Sequence, residues 1–109
     1  MITIKIARNK DDEIISFSLN GHAGYSENGK DIVCAAVSAV TNMTLIGLGE
    51  KLKLNIKFER NEGGYLKVEL PENISSDDMR IAQFLLESLV TEYLDIEANF
   101  GKYVLVNER

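Results

Sequence analysis

Apolar and polar residues alternate along two segments near the start of the chain, which is the pattern of half-buried strands. The apolar positions of these two segments are Ile2, Ile4, Ile6, Ile15, Phe17 and Leu19. Residues 9–12 between them (Asn-Lys-Asp-Asp) are polar and predict a turn. We therefore predict a β-hairpin at this end of the chain.

The same alternation returns at residues 54–58 and 66–70. A turn-forming stretch, Asn61-Glu-Gly-Gly64, lies between them, so we predict a second hairpin. Residues 103–106 (Tyr-Val-Leu-Val) are compatible with a short final strand.

Two longer segments predict helices. The second helix begins near Ser75-Ser-Asp-Asp78, because hydroxyl and carboxylate side chains satisfy the free N–H groups of a first helical turn. Its helically spaced apolar residues predict one face packed on the sheet, and they are Ala82, Leu85, Leu86, Leu89, Tyr93 and Ile96. The first helix runs from about Asp31 towards Gly47 or Gly49.

The first helix is strongly apolar, since the 18 residues from Ile32 to Gly49 carry no charge and approach the length of a membrane span. Polar residues interrupt this run at Ser38, Thr41, Asn42 and Thr44. We therefore reject a membrane span and expect the buried central helix of a soluble domain. The element order predicts that residues 1–109 form a single small α+β domain. Its antiparallel or mixed sheet of two hairpins packs with two α-helices (ββαββα).

Composition narrows the class of protein. Hydrophobic residues make up 45% and charged residues 27%, as is ordinary for a soluble domain. The net charge is −5, and residues 69–109 hold nine acidic and three basic side chains. This balance disfavours direct nucleic-acid binding and attracts a basic peptide or protein, although it also suits the solvated face of a helix. With no signal-peptide pattern and a single cysteine, we expect a cytoplasmic location.

The candidate chemistry lies between the only histidine, His22, and the only cysteine, Cys34. Asp31 is suited to cap the first helix, which places Cys34 in its first turn. A helix N-terminus and a nearby imidazole favour the nucleophilic thiolate, and the first N–H groups of the helix are suited to hold an oxyanion. His22 is suited as the general base, and Asp31 either caps the helix or orients the imidazole. The alternatives are a small buried cysteine and a histidine that caps the strand end.

A loop joins these residues and consists of Ala23, Gly24, Tyr25, Ser26, Glu27, Asn28, Gly29 and Lys30. Its glycines indicate either a mobile, substrate-gated lid or simply a tight connection between strand and helix. Residues 24–31 also fit the phosphate-loop pattern G-x-x-x-x-G-K, but Asp31 stands where Ser or Thr would ligate magnesium. We therefore expect no nucleotide. We also expect no metal, because one His and one Cys are fewer ligands than zinc takes, and no other cofactor.

The blocks Gly21-His-Ala23 and Asp31-Ile-Val-Cys-Ala-Ala-Val-Ser38 resemble the ribosomal-processing cysteine protease Prp family, also called YsxB-like. The resemblance extends over the whole chain in length and element order. It implies a cytoplasmic, homodimeric endopeptidase that removes the N-terminal extension of large-subunit ribosomal protein twenty-seven, cleaving after phenylalanine.

The resemblance also assigns roles to residues. It implies that Cys34 is the nucleophile, His22 the base, Asp31 and Ser38 supporting residues, and Gly21 the hinge of the lid. Two other classes remain: a non-catalytic ribosome-associated binding module with a buried Cys34, and a different thiol enzyme. A disulfide oxidoreductase is disfavoured because the chain has no second cysteine.

Overall fold

The computed structural model describes residues 1–27 and 31–108. Within these residues it has two α-helices, five strands and one π-helical segment. In chain order these are Ile2–Arg8 (β1), Ile14–Asn20 (β2), Ile32–Leu45 (α1), the π-helical segment Ile46–Lys51, Lys57–Asn61 (β3), Tyr65–Glu69 (β4), Ser76–Asn99 (α2) and Val104–Glu108 (β5).

The five strands form one mixed sheet in the order β3-β4-β2-β1-β5. Both predicted hairpins are present and antiparallel, β2 pairs antiparallel with β4, and β5 joins β1 in parallel. The pairing of β5 with β1 begins with Ile2 opposite Val104, and the Ile2 N–H donates to the Tyr103 carbonyl at 2.8 Å. The predicted α+β fold with two hairpins and two helices is confirmed.

The core lies between the inner face of the sheet and the two helices. Ile4 and Ile6 of β1 face Leu19 and Phe17 of β2 across the ladder, so one register places all their side chains on the same face. Tyr93 of α2 is fully buried in this core, and its hydroxyl hydrogen-bonds to the Thr41 hydroxyl of α1. Burial raises the pKa of Tyr93, so the phenol stays protonated.

The prediction that α1 is a buried central helix is wrong for its outer face. Val33, Val37 and two threonines point inward, whereas Ile32 is 56% exposed and Met43 is 69% exposed. The buried threonine hydroxyls of Thr41 and Thr44 each donate to a backbone carbonyl one turn earlier, so they enter the core without an unsatisfied group. In a two-layer domain the helix has one covered side only.

The segment Ile32–Lys51 is long and apolar enough to cross a membrane by length and composition alone, and 28% of its most apolar window is buried. Its rejection as a membrane span therefore stays a prediction. The α-helix ends at Leu45, before the predicted glycines, and the chain continues as the π-helical segment through Gly47 and Gly49.

The third strand begins three residues later than predicted, at Lys57. Leu54 and Ile56 alternate like strand residues, but they pack against the core instead of pairing. The Leu54 N–H donates to the Leu48 carbonyl at 3.0 Å, which ties this stretch to the end of the helical segment. Every residue of β3 is exposed, because it lies at the sheet edge beyond the helices.

Candidate active site

The first turn of α1 is built by Asp31, as the sequence predicts. Asp31 has an extended backbone, and its Oδ1 accepts hydrogen bonds from the Val33 and Cys34 N–H groups, both at 3.0 Å. This is an N-cap, and it fixes where the helix begins. Cys34 consequently lies in the first turn, half-buried rather than enclosed. The alternative of a fully buried cysteine is therefore wrong.

The same carboxylate holds the preceding loop. Its Oδ2 accepts from the Tyr25 N–H at 3.0 Å and from the Ser26 N–H at 3.3 Å. These bonds, with that from Cys34 the largest, lower the pKa of Asp31. All hydrogen bonds that Asp31 accepts within the described residues come from backbone N–H groups. The geometry therefore supports Asp31 as a cap and loop anchor. Within the described residues, no hydrogen bond from Asp31 to the imidazole supports its predicted role in orienting His22.

The expected oxyanion site at the start of α1 is occupied in this conformation. The Val33 and Cys34 N–H groups bond to Asp31 Oδ1, and the Ala35 N–H donates to the Asp31 carbonyl at 3.0 Å. Because each of these N–H groups already has an acceptor, an oxyanion would have to displace the Asp31 carboxylate to use the first two. The cap and the oxyanion site thus compete for the same donors.

The end of β2 brings His22 to the cleft that Cys34 also lines. The Ala23 N–H, next to His22 in the chain, points to the Cys34 sulfur at 3.4 Å. Gly21 has φ +96°, and a Cβ on it would collide with the Met1 carbonyl oxygen. Only glycine fits this bend. His22 lies just after the end of β2 and is exposed to solvent.

Gly64, in the turn between β3 and β4, lies against the imidazole of His22. The Gly21 N–H donates to the Gly64 carbonyl at 2.9 Å, and Gly64 has φ +86°. A Cβ on Gly64 would lie 2.9 Å from His22 Nε2 and 3.0 Å from the Gly21 carbonyl oxygen. The imidazole therefore packs on bare backbone. Sequence reasoning identified Gly64 only as a turn residue and missed this contact.

An open cleft of about 500 Å³ gathers the predicted site residues. Its lining residues are His22, Gly24, Ser26, Asp31, Cys34, Ala35 and Ser38. Ser38 lies one helical turn after Cys34 on the same side of α1. The structure thus brings His22, Asp31, Cys34 and Ser38 together, as predicted, while their chemical roles stay predictions.

The described part of the loop is anchored by an aromatic cluster that the sequence did not predict. The Tyr25 ring meets Phe100 edge-on with centroids 5.8 Å apart and Tyr103 with centroids 5.1 Å apart. Both partners belong to the connection between α2 and β5. Asn28, Gly29 and Lys30 of the predicted mobile loop lie outside the described residues, and the mobility of the loop stays a prediction.

An exposed imidazole and a half-buried thiol line one open cleft. A thiol hydrolase uses these two groups, with the base accepting the thiol proton before attack on a carbonyl. Among residues 1–27 and 31–108, no group of three or more His, Cys, Asp and Glu side chains is placed to hold a metal ion. The Asp31 carboxylate accepts from the Val33 and Cys34 N–H groups, which a phosphate at this helix start would need. That no nucleotide binds stays a prediction.

Comparison with known proteins identifies the class. The family model of cysteine protease Prp matches residues 1–105, so this chain belongs to the cysteine protease Prp family and is a cysteine protease. The alternatives of a non-catalytic module and of another kind of thiol enzyme are therefore wrong.

Curated relatives and solved structures agree with this assignment. The chain is 35% identical over 104 residues to the ribosomal processing cysteine protease Prp of Bacillus subtilis, covering 92% of this chain and 90% of the relative. It is 31% identical over 110 residues to that of Staphylococcus aureus, covering 98% of each. The S. aureus Prp structure with a covalently linked product peptide has the same fold, with TM-score 0.89, 24% identity and full coverage of both chains. SMU.848 from Streptococcus mutans superposes with TM-score 0.80 at 29% identity, covering 99% of this chain and 93% of that one.

Proposed function

We propose that this protease removes the N-terminal extension of large-subunit ribosomal protein twenty-seven, cleaving after phenylalanine during ribosome assembly in the cytoplasm. The observation that carries the proposal is the placement of Cys34 in the first turn of α1, with His22 on the same open cleft. The relatives named ribosomal processing proteases support the substrate class. The net charge of −5 supports a basic ribosomal protein as the partner.

The residues suggest the following steps. His22 takes the proton of Cys34, and the sulfur forms a bond to the carbonyl carbon of the phenylalanine. The carbon–nitrogen bond then breaks, and the amine leaves with the proton from His22. His22 next takes a proton from water, whose oxygen attacks the thioester and releases the acid and the thiol. A free N–H donor for the oxyanion becomes available when substrate displaces Asp31 Oδ1 from Val33 and Cys34.

The test is incubation of the purified protein with the precursor of ribosomal protein twenty-seven, followed by the mass of the product. We expect loss of the extension with the parent protein and an intact precursor with Cys34→Ala. This substitution removes one sulfur atom from a half-buried site, so the fold should be retained. An uncut precursor, with reduced thiol and folded substrate confirmed, would overturn the proposed substrate.

The homodimer that the family resemblance implies is part of this proposal. Large apolar side chains on the outer faces of α1 and α2 support it, since Met43 is 69% exposed and Phe84 is 75% exposed. Sedimentation equilibrium is expected to give twice the monomer mass, and a monomer at all concentrations would contradict it.

A further inference from the structure

A second groove leads away from Cys34 and His22, between α1 and the β3–β4 edge of the sheet. It measures about 310 Å³ and shares His22, Cys34 and Ser38 with the active-site cleft. The remainder of its lining is different: the half-buried Leu19 supplies apolar surface next to the buried Val37 and Leu66, and Arg60 lies at the outer strand. We call it the β3-side groove.

The strand register explains why this groove exists. Leu19 of β2 is opposite Leu66 of β4, which is opposite Arg60 of β3, so the three side chains stand on the same face of the sheet. The helices cover that face at β1 and β2 but not at β3, whose residues are all exposed. The inner face of the sheet is thus open at this edge, and α1 forms the opposite wall through Val37.

The β3-side groove carries a positive charge. Arg60 is the only charged side chain among the residues that line it. Its guanidinium lies over the Phe58 ring, 5.6 Å from the centroid, and has no carboxylate partner within the described residues. A cation that lies on an aromatic ring beside apolar surface is suited to an anionic group on a ligand that also carries an apolar side chain.

We propose that the β3-side groove is a substrate subsite that selects a peptide with an apolar side chain and a nearby carboxylate. The apolar side chain lies on Leu19, and the carboxylate pairs with Arg60. The groove begins at the reacting sulfur, so a peptide that fills it passes Cys34 on its way. The assignment rests on the proposed peptidase function, but binding tests it separately from cleavage.

The experiment uses peptides with one phenylalanine and one Glu, Gln or Lys moved through successive positions on either side of it. Cleavage is measured with the parent protein, and binding is measured by titration calorimetry on the Cys34→Ala protein. Arg60→Glu is compared with Lys57→Glu, which makes the same change in charge on the same strand. Lys57 is a sound control, because it stands on the opposite face of β3 and does not line the groove.

We expect one position at which Glu is preferred over Gln by about threefold, as for an exposed ion pair. Arg60→Glu should abolish this preference or reverse it in favour of Lys, whereas Lys57→Glu should leave it. Replacing phenylalanine by alanine should weaken binding, and Leu19→Ala should reduce that difference, because Leu19 supplies part of the apolar surface.

Equal effects of Arg60→Glu and Lys57→Glu, or no Glu preference at any position, would overturn the subsite. Binding with an Arg60-dependent Glu preference but without cleavage by the parent protein would uphold the groove and refute the proposed peptidase substrate. Cleavage with no Arg60 dependence would uphold the proposed peptidase substrate and refute the groove.

Discussion

Gly64→Ala tests whether the turn between β3 and β4 positions His22. The added Cβ would lie 2.9 Å from His22 Nε2, whereas ordinary contact begins at 3.4 Å, so the imidazole must move by about 0.5 Å. The positive φ of Gly64 adds strain of about 1–2 kcal/mol to the folded state. The imidazole can turn aside, but the Gly21 carbonyl oxygen at 3.0 Å cannot do so without moving the end of β2.

The expected result is a fall in kcat of at least about tenfold, since a displacement near 1 Å costs up to about a hundredfold in catalysis. The assay is steady-state cleavage of the precursor, with the free energy of unfolding measured in urea beside it. Gly63→Ala is the matched control, because a Cβ there meets only the Asn61 side-chain oxygen, at 3.3 Å. If both variants kept the parent kcat while Gly64→Ala lost stability, Gly64 would shape the turn and have no part in placing His22.

Three further predictions concern the anchoring of the site and the core. The pKa of Asp31 is lowered in the folded state, so its carboxylate stabilises the fold at neutral pH and loses this effect as the pH falls below about 4. Urea unfolding of Asp31→Asn should therefore vary less with pH in that range, and an unchanged acid dependence would contradict the cap. Tyr25→Ala should raise KM while Tyr25→Phe keeps it, because the ring contacts to Phe100 and Tyr103 hold the loop; equal KM values for both variants would refute this. Thr41→Val should cost about 1–3 kcal/mol of stability in thermal unfolding by leaving the buried Tyr93 hydroxyl without its side-chain partner, and a neutral effect would refute the role of that bond.

Local patterns predicted the parts of the molecule that depend on neighbouring residues. The alternation of apolar residues predicted both hairpins, and Asp31 before an apolar run predicted the start of α1. His22 and Cys34 are close in the chain, so a strand end and a helix start were enough to place them on one cleft.

Contacts between distant segments were beyond such patterns. Gly64 reaches His22, and Tyr103 reaches Tyr25, only because the sheet order places β4 beside β2 and β5 beside β1. The exposed face of α1 escaped prediction for a related reason: an apolar sequence does not tell how many elements cover a helix. The sequence predicted both the Asp31 cap and the oxyanion donors, but not that both would use the Val33 and Cys34 N–H groups; the oxyanion role stays a prediction.

The most direct measurement of the mechanism is the intact mass of the protein after rapid acid quench during precursor cleavage, followed by peptide mapping. We expect a species heavier by the N-terminal extension less one water, with the added mass on Cys34, and its absence from Cys34→Ala. Attachment of the fragment to another residue, or continued cleavage by Cys34→Ala at the parent rate, would contradict Cys34 as the nucleophile.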